Sequence, residues 1–495
     1  MTGVGTAPVP PGDLRGRTVT SALWVAADKW VNRLASLLVF AVIGRLLDPA
    51  EIGVAALAAT FVALFQVLAE QGFSDALVQR RDLDREHPEA AFWVSLGSAV
   101  VLAAALAACA GPIAAALDAP QLAPVLQVLC LTLVLSALSL TPAALLQRDF
   151  GFKRLTQRRV TANLLGGVVG VVAAVLGAGV WAIVAQSLTS AVVGVLVLWT
   201  VLPWRPRLRV SRAAVRDLRG VGTSVIGIQL FAFLNAQADK FVIGAVISPA
   251  ALGYYYIGTR IISILSDVQT AVIQSVSLTA LSRVQDDAPR FRRAFLSLTG
   301  ASAAIGVLTY ATFAALAPVV VPLVFGDQWG PSVLITQVLC AMGALNSVLV
   351  FDRTALIAVG RSKLALLVTA VQCVVGVVAV VVAVPFGILA VAVAVTVRQY
   401  LVWPLRLRAL HRALGLPVWA YLRQWLAPAA AGLLVFGVLT GLLAVLPTWE
   451  GTWPRVGVVL GGGVLAVGLY LAAGAVLFRG TLRELVGVLR GRRTS

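Results

Sequence analysis

Apolar stretches of about twenty residues recur along the whole chain, and that recurrence constrains the fold more than any other feature. They run roughly over 18–44, 52–75, 91–111, 122–146, 160–177, 180–202, 221–247, 252–276, 295–325, 332–357, 365–384, 386–404, 424–446 and 456–477, about fourteen in all. A helix rises ~1.5 Å per residue, so each stretch suits a hydrocarbon layer about 30 Å thick. Only helices and closed barrels satisfy their own backbone groups in lipid, and the stretches lack the alternating pattern of a barrel. Composition agrees, with 60% hydrophobic and 12% charged residues against about 25% charged in soluble domains. The chain reads as an all-α integral membrane protein of about fourteen transmembrane helices. The longest stretch, 295–325, is expected to contain a short interfacial turn.

The formal net charge is +18, which in a soluble chain would suggest nucleic acid. Placement decides otherwise. Arg80, Arg81 and Arg85, then Arg148, Lys153, Arg154, Arg158 and Arg159, then the arginine-rich 205–219, fall in alternate connections. The alternation continues through Arg283, Arg290, Arg292 and Arg293, through Arg361 and Lys363, and through Arg406, Arg408, Arg412 and Arg423. The other connections contribute only Arg45 and Arg455. Basic loops stay cytoplasmic, so the reading is a multi-pass protein of a bacterial-type plasma (inner) membrane with both termini inside and no nucleic-acid partner. Residues 1–17 form a cytoplasmic tail, 18–202 a lobe of helices one to six, 203–220 a basic linker and 221–404 a lobe of helices seven to twelve. A second basic linker at 405–423, helices thirteen and fourteen at 424–477 and a basic tail at 478–495 complete the plan. Trp199, Trp204, Trp329, Trp403, Trp449 and Trp453 lie near segment ends, as an interfacial belt would. Leu482, Leu485, Val486 and Leu489 predict a short helix on the inner leaflet.

Several chemistries lack material. Cys109, Cys130, Cys340 and Cys373 stand singly in apolar runs, and His87 and His411 are far apart in polar loops, which excludes zinc chemistry and a histidine-based triad. Gly461-Gly462-Gly463 has no Gly-Lys-Ser/Thr ending, so no nucleotide site is expected. Arg15 and Arg17 precede a first helix too long and too charged for a cleaved leader.

Val42-Ile43-Gly44, Pro49-Ala50 and Gly53 recur 200 residues later as Val242-Ile243-Gly244, Pro249-Ala250 and Gly253. Six helices separate the copies, so the two halves insert in parallel about an axis along the membrane normal, with helices thirteen and fourteen outside the repeat.

Charge inside an apolar run costs at least ~2.5–3.5 kcal/mol and by default faces an aqueous cavity. Asp28-Lys29 and Asp239-Lys240 are such pairs, and Lys29 and Lys240 are two of only four lysines. Lys29 and Arg33 are four residues apart and share a helix face, as do Asn235 and Asp239. Asn32 adjoins the first face and Lys240 the second, while Arg260 and Asp267 lie two turns apart on helix eight. Glu70, Arg353 and Arg398 are secondary candidates, close enough to the inner face to reach it. Lys29 lies about fourteen residues (~21 Å) inward of Ile43 and Lys240 about four inward of Gly244, so the two pairs sit at different depths.

Gly44-Arg-Leu-Leu-Asp-Pro-Ala-Glu-Ile-Gly53, followed by Gly72-Phe-Ser-Asp-Ala-Leu-Val-Gln-Arg-Arg-Asp82, resembles the opening of the polysaccharide-repeat (Wzx-type) flippases of the multidrug/oligosaccharidyl-lipid/polysaccharide exporter superfamily. Ala238-Asp-Lys-Phe-Val-Ile-Gly244, Leu252-Gly-Tyr-Tyr255, Arg260, Leu281-Ser-Arg-Val-Gln-Asp286, Phe325-Gly-Asp-Gln-Trp329 and Val359-Gly-Arg-Ser-Lys363 extend the likeness over about 18–410. Thr279 stands where the family has a proline before Ala280-Leu281-Ser282.

The resemblance implies two six-helix lobes in a V plus a C-terminal pair, and a non-enzymatic flippase moving polyprenyl-diphosphate-linked oligosaccharide from the inner to the outer leaflet. The product would be O-antigen, capsule or exopolysaccharide. Lys29, Arg33, Lys240 and Arg260 would then meet the anionic head group, and Asp28, Asp239 and Asp267 would couple to an ion or pair with the cations. No cofactor is expected; a proton or sodium gradient or the membrane potential would drive the step. Membrane lipids and the pathway's polymerase and glycosyltransferases are the expected partners. The competing readings are a drug/cation antiporter of the same superfamily, which would favour a purely acidic cavity, and a membrane-embedded polymerase, which would need a catalytic loop longer than the roughly twenty residues present here.

Overall fold

The computed structural model describes residues 33, 35–70, 73–79, 84, 86–149, 151–207, 212–281, 288–445 and 451–483, with no strand among them. The helices are α1 (Ala35–Leu46), α2 (Pro49–Glu70), α3 (Phe73–Gln79), α4 (Glu86–Ala116), α5 (Leu122–Leu129), α6 (Leu131–Arg148), α7 (Phe152–Val175), α8 (Val180–Val201) and α9 (Arg212–Val246). They continue as α10 (Pro249–Leu281), α11 (Ala288–Phe325), α12 (Gly330–Leu349), α13 (Asp352–Ala358), α14 (Ser362–Ala383), α15 (Ile388–Leu414), α16 (Val418–Val445) and α17 (Thr452–Leu477). Among the described residues, eleven spans are long and apolar enough to cross a bilayer, α5 with α6 and α12 with α13 each counting once. The protein is an all-α, multi-pass membrane protein. α1, α9 and α10 occupy the three other segments expected from sequence. Outward-facing Leu433, Val445 and Val464 are 71%, 84% and 75% exposed, an arrangement that lipid satisfies and water does not.

Several boundaries differ from the sequence reading. The interfacial turn expected in 295–325 does not form: α11 runs unbroken past Pro318 and Pro322. Pro318 cannot donate to the Ala314 carbonyl one turn back, and the Gln337 side-chain amide donates to that carbonyl instead, at 2.9 Å. The segment 332–357 is interrupted at Val350 and Phe351, between α12 and α13. The basic segment 405–423 is helical as far as Leu414, where Gly415 takes a left-handed φ of 62° and its N–H caps the His411 carbonyl. Of the tryptophans expected at an interface, Trp453 is exposed, whereas Trp329 is fully buried edge-on against Tyr254 and Trp403 packs edge-on against Trp425. Trp449, and the tail helix expected from Leu482 onward beyond residue 483, lie outside the described residues.

The chain divides into two compact units. Unit 1 holds Met1–Leu47, Phe65–Gly111 and Ala123–Ile226. Within it α7 and α8 lie close because α7 presents small residues; a Cβ on Gly166 would overlap the Ser190 hydroxyl, and one on Gly170 would lie 2.8 Å from the Gln186 Cβ. With no hydrophobic drive between helices in lipid, such close backbone approach is a main source of association. Phe92 meets Trp93, Trp199 and Trp204 edge-on at 5.3–5.9 Å. Arg205 closes the C-terminus of α8 by donating to the carbonyls of Trp199 (2.8 Å) and Leu202 (2.6 Å).

Unit 2 holds Asp48–Leu64, Pro112–Leu122 and Gly227–Ser495. Its core joins α11, α12, α14, α15 and α16 through Phe295, Leu345, Val348, Val368 and Leu410, with Phe295 stacked on Tyr421 at 6.0 Å. The Pro49–Gly53 and Pro249–Gly253 parts of the two repeat copies meet inside this unit. A Cβ on Gly53 would overlap the Pro249 carbonyl oxygen, and one on Gly253 would overlap the Pro49 carbonyl oxygen. The two prolines open α2 and α10, and each helix passes over the other's first turn. Glycine is required at both places by the backbone of the opposite copy.

Candidate functional site

Unit 2 carries charge within its helices. Asp239 of α9 accepts a hydrogen bond from the Tyr255 hydroxyl of α10 at 2.5 Å, and Tyr255 is wholly buried. Asp239 also interacts electrostatically with Arg398 of α15. Gly376 on α14 makes room for Arg398, since a Cβ there would overlap its guanidinium. Arg398 is therefore inside the bundle and does not extend to the interface. Lys240 donates to the Gln237 side-chain carbonyl at 2.8 Å, stands 5.9 Å over the Tyr256 ring and feels the charge of Arg260. The opposite charge on Asp239 offsets part of the desolvation that burial imposes on Lys240 and Arg398.

One turn before Asp239, Asn235 lines a cavity of about 330 Å³ within the same unit. Asn346 of α12, Gln372 of α14 and Gln399 of α15 converge there. Gln372 donates to Gln399 at 2.8 Å, Gln399 donates to Asn346 at 2.6 Å, and Arg406 donates to Gln372. Asp352 closes the wall, its Oδ1 accepting from Tyr421 at 2.7 Å. A second polar cavity, about 400 Å³, lies in unit 1 against Gln147, Arg158, Arg159, Asn163 and Ser190. Arg158 is anchored there by donation to the Gly194 carbonyl at 3.1 Å.

Of the residues singled out from sequence, Asp239, Lys240, Arg260 and Arg398 share one electrostatic cluster in unit 2, and Asn235 lines the adjoining cavity. Asp267 is exposed on α10, and Arg353 lies on α13. Arg33 is half-buried in unit 1, and Glu70 ends α2, accepting from Gln66 at 3.1 Å. Asp28, Lys29 and Asn32 lie outside the described residues.

A family model described as polysaccharide biosynthesis protein matches residues 42–334, more than half of the chain. The chain belongs to that family. Among the chain's relatives, the succinoglycan biosynthesis transport protein ExoT of Rhizobium meliloti is 27% identical over 288 residues, covering 58% of each chain. The lipopolysaccharide biosynthesis protein WzxC of Escherichia coli is 24% identical over 344 residues, 68% of each chain. The teichuronic acid biosynthesis protein TuaB of Bacillus subtilis is 22% identical over 350 residues, 70% of this chain and 72% of that one. The protein thus spans 58–72% of the length of these three relatives. Among solved structures, the lipid II flippase MurJ in an inward closed conformation superposes with a TM-score of 0.74 at 10% identity, over 93% of this chain and all of that one. An inward-facing multidrug resistance MATE family transporter of the MOP superfamily superposes at 0.57 with 14% identity, over 83% of this chain and 96% of that one. The chain shares its fold with both.

The motif Leu252-Gly-Tyr-Tyr255 includes Tyr255 without giving it a role, and no motif reached Asn346, Asp352, Gln372, Gln399 or Arg406. A polar residue in an apolar run is itself a signal, and Gln372 stands within Val368-Thr-Ala-Val-Gln-Cys-Val-Val375. Arg406 falls in what reads as a cytoplasmic linker and becomes legible only once α15 extends beyond it.

Proposed function

We propose that the protein is a flippase for polyprenyl-diphosphate-linked oligosaccharide repeat units, working by alternating access in the plasma membrane with both termini in the cytoplasm. The observation that carries this reading is the set of cationic and amide side chains held inside an otherwise apolar bundle: Lys240, Arg260 and Arg398 beside the cavity that Asn235 lines. A hydrated anionic head on an apolar tail needs such groups at membrane depth. Family membership, relatives named for surface-polysaccharide synthesis and transport, and the fold held in common with a lipid II flippase support it. The fourteen-helix count, the two parallel lobes and a non-enzymatic role belong to the same proposal, as do the pathway's polymerase and glycosyltransferases as partners. Outward movement of an anionic head is favoured by an inside-negative potential, at about 2.3 kcal/mol per charge per 100 mV. Asp28, Asp239 and Asp267 are the carboxylates proposed for ion coupling or for pairing with the cations, Asp239 accepting from Tyr255 and interacting with Arg398, and Asp267 exposed on α10.

Charge-assisted hydrogen bonds are worth about 1.5–3 kcal/mol. Lys29→Ala, Arg33→Ala, Lys240→Ala and Arg260→Ala should therefore each lower lipid-linked oligosaccharide transfer about tenfold to a hundredfold. Surface polysaccharide per cell, normalised to the amount of protein in the membrane, measures this. Normal polysaccharide in all four variants would remove the head-group role, and raised drug susceptibility of a deletion strain with intact polysaccharide would point to an antiporter instead.

A further inference from the structure

We propose that the cavity inside unit 2 is a sugar subsite that takes one hydroxylated ring of the cargo, with Asp352, Asn235 and the Asn346–Gln399–Gln372 amide chain as its recognition groups. The proposal rests on the flippase reading.

Two acceptors on this wall lack a donor among the described residues. Asp352 is 2% exposed; its Oδ1 takes the Tyr421 hydroxyl and its buried Oδ2 has no hydrogen-bond partner. The buried Oδ1 of Asn235 has none either. Both residues line the one cavity. Buried acceptors left without donors are costly, so a ligand that presents donors here is bound preferentially. Sugar hydroxyls are donors and acceptors at once, and side-chain amides complement both roles.

Three observations favour a neutral polyhydroxyl ring over an ion. The cavity, about 330 Å³, lies at the lower end of the ~300–1,000 Å³ typical of small-molecule sites and far exceeds the room one ion needs. Arg406 stands on the same wall and interacts electrostatically with Asp352. That guanidinium offsets the attraction of the carboxylate for a cation, while the carboxylate repels phosphate. Leu349, Leu356 and Val368 complete the wall with the apolar surface that the C–H face of a ring requires. Val350, also on the wall, is 43% exposed and marks where the cavity reaches the surface.

The test uses the full-length protein in liposomes with two probes: the lipid-linked oligosaccharide extracted from polymer-producing cells, and polyprenyl diphosphate without sugar. Wild type is expected to move the glycosylated lipid faster. Asn346→Leu and Gln399→Leu should slow that transfer at least tenfold while changing transfer of the sugar-free lipid less than twofold. An equal fall with both lipids, or no fall with either, overturns the subsite and leaves the flippase reading standing. So does a fall that merely mirrors the removal of sodium, which would make the cavity an ion site. Wild type moving neither lipid would overturn the flippase reading, and the subsite with it. Should both leucine variants fail to fold, wild type alone decides: excess free monosaccharides of the repeat are expected to slow the glycosylated lipid only, and no slowing overturns the proposal.

Discussion

Leucine at Gly53 or at Gly253 is expected to cost about 3 kcal/mol each, and the double substitution less than the sum. Overpacking a well-filled site typically costs ~1–3 kcal/mol. The upper end applies because the obstacle at each glycine is the opposite copy's backbone; a Cβ on Gly253 would lie only 2.8 Å from the Pro49 carbonyl carbon. No rotamer change relieves that, and only a shift of α2 against α10 will. Once either leucine has forced the shift, the other meets a crossing already opened, so coupling of about 0.5–3 kcal/mol is expected between them. Thermal unfolding of the two single variants and the double variant measures it. Strict additivity would mean that the two contacts are independent and that the repeat crossing is not one structural element.

Asp239→Leu is the second large effect. It leaves the buried Tyr255 hydroxyl without its acceptor and removes the counter-charge of Arg398 and Lys240. Breaking a buried ion pair from one side costs about 3–5 kcal/mol, and an orphaned buried hydroxyl about 1–3 kcal/mol. Because Asp239 is only partly buried, the lower end of the combined range is the expectation, about 4 kcal/mol. Tyr255→Phe alone should cost less, about 1–3 kcal/mol. In the Asp239→Leu background it should cost nothing, since the hydroxyl it removes no longer has a partner. A full additional loss in the double variant would show that the Tyr255 hydroxyl contributes through a partner other than Asp239.

The parts of this protein that were legible in sequence are those that lipid imposes locally. A span must be about twenty apolar residues long, so Pro49–Glu70 or Lys363–Phe386 declares itself without reference to any neighbour. Asp239 and Lys240 were visible for the same reason, because charge is conspicuous in an apolar run. Pro49 and Gly53 were visible because their spacing is copied at Pro249 and Gly253, although the copies alone did not reveal that each packs on the other. Neutral amides carry a weaker mark, and a lone glutamine in an apolar run, such as Gln372, does not say what it meets. Asn346, Gln372 and Gln399 are separated by 27 to 53 residues along their hydrogen bonds and acquire meaning only when α12, α14 and α15 pack together. Tyr255 is equally silent, since a tyrosine next to two others reads as packing until Asp239 is found against its hydroxyl.

The crossing of the two repeat copies also has a consequence for assembly in time. Its halves are 200 residues apart in the chain. At a synthesis rate of about 5–20 residues per second, the turn at Pro49 waits roughly 10–40 s for the turn at Pro249 to be made. Helices α2 to α9 must enter the membrane before the first contact across it can form. A contact of such long sequence separation forms late, after the entropy of closing the intervening chain has been lost. Leucine at Gly53 should therefore leave membrane insertion unaffected and act almost entirely by speeding the loss of the finished structure.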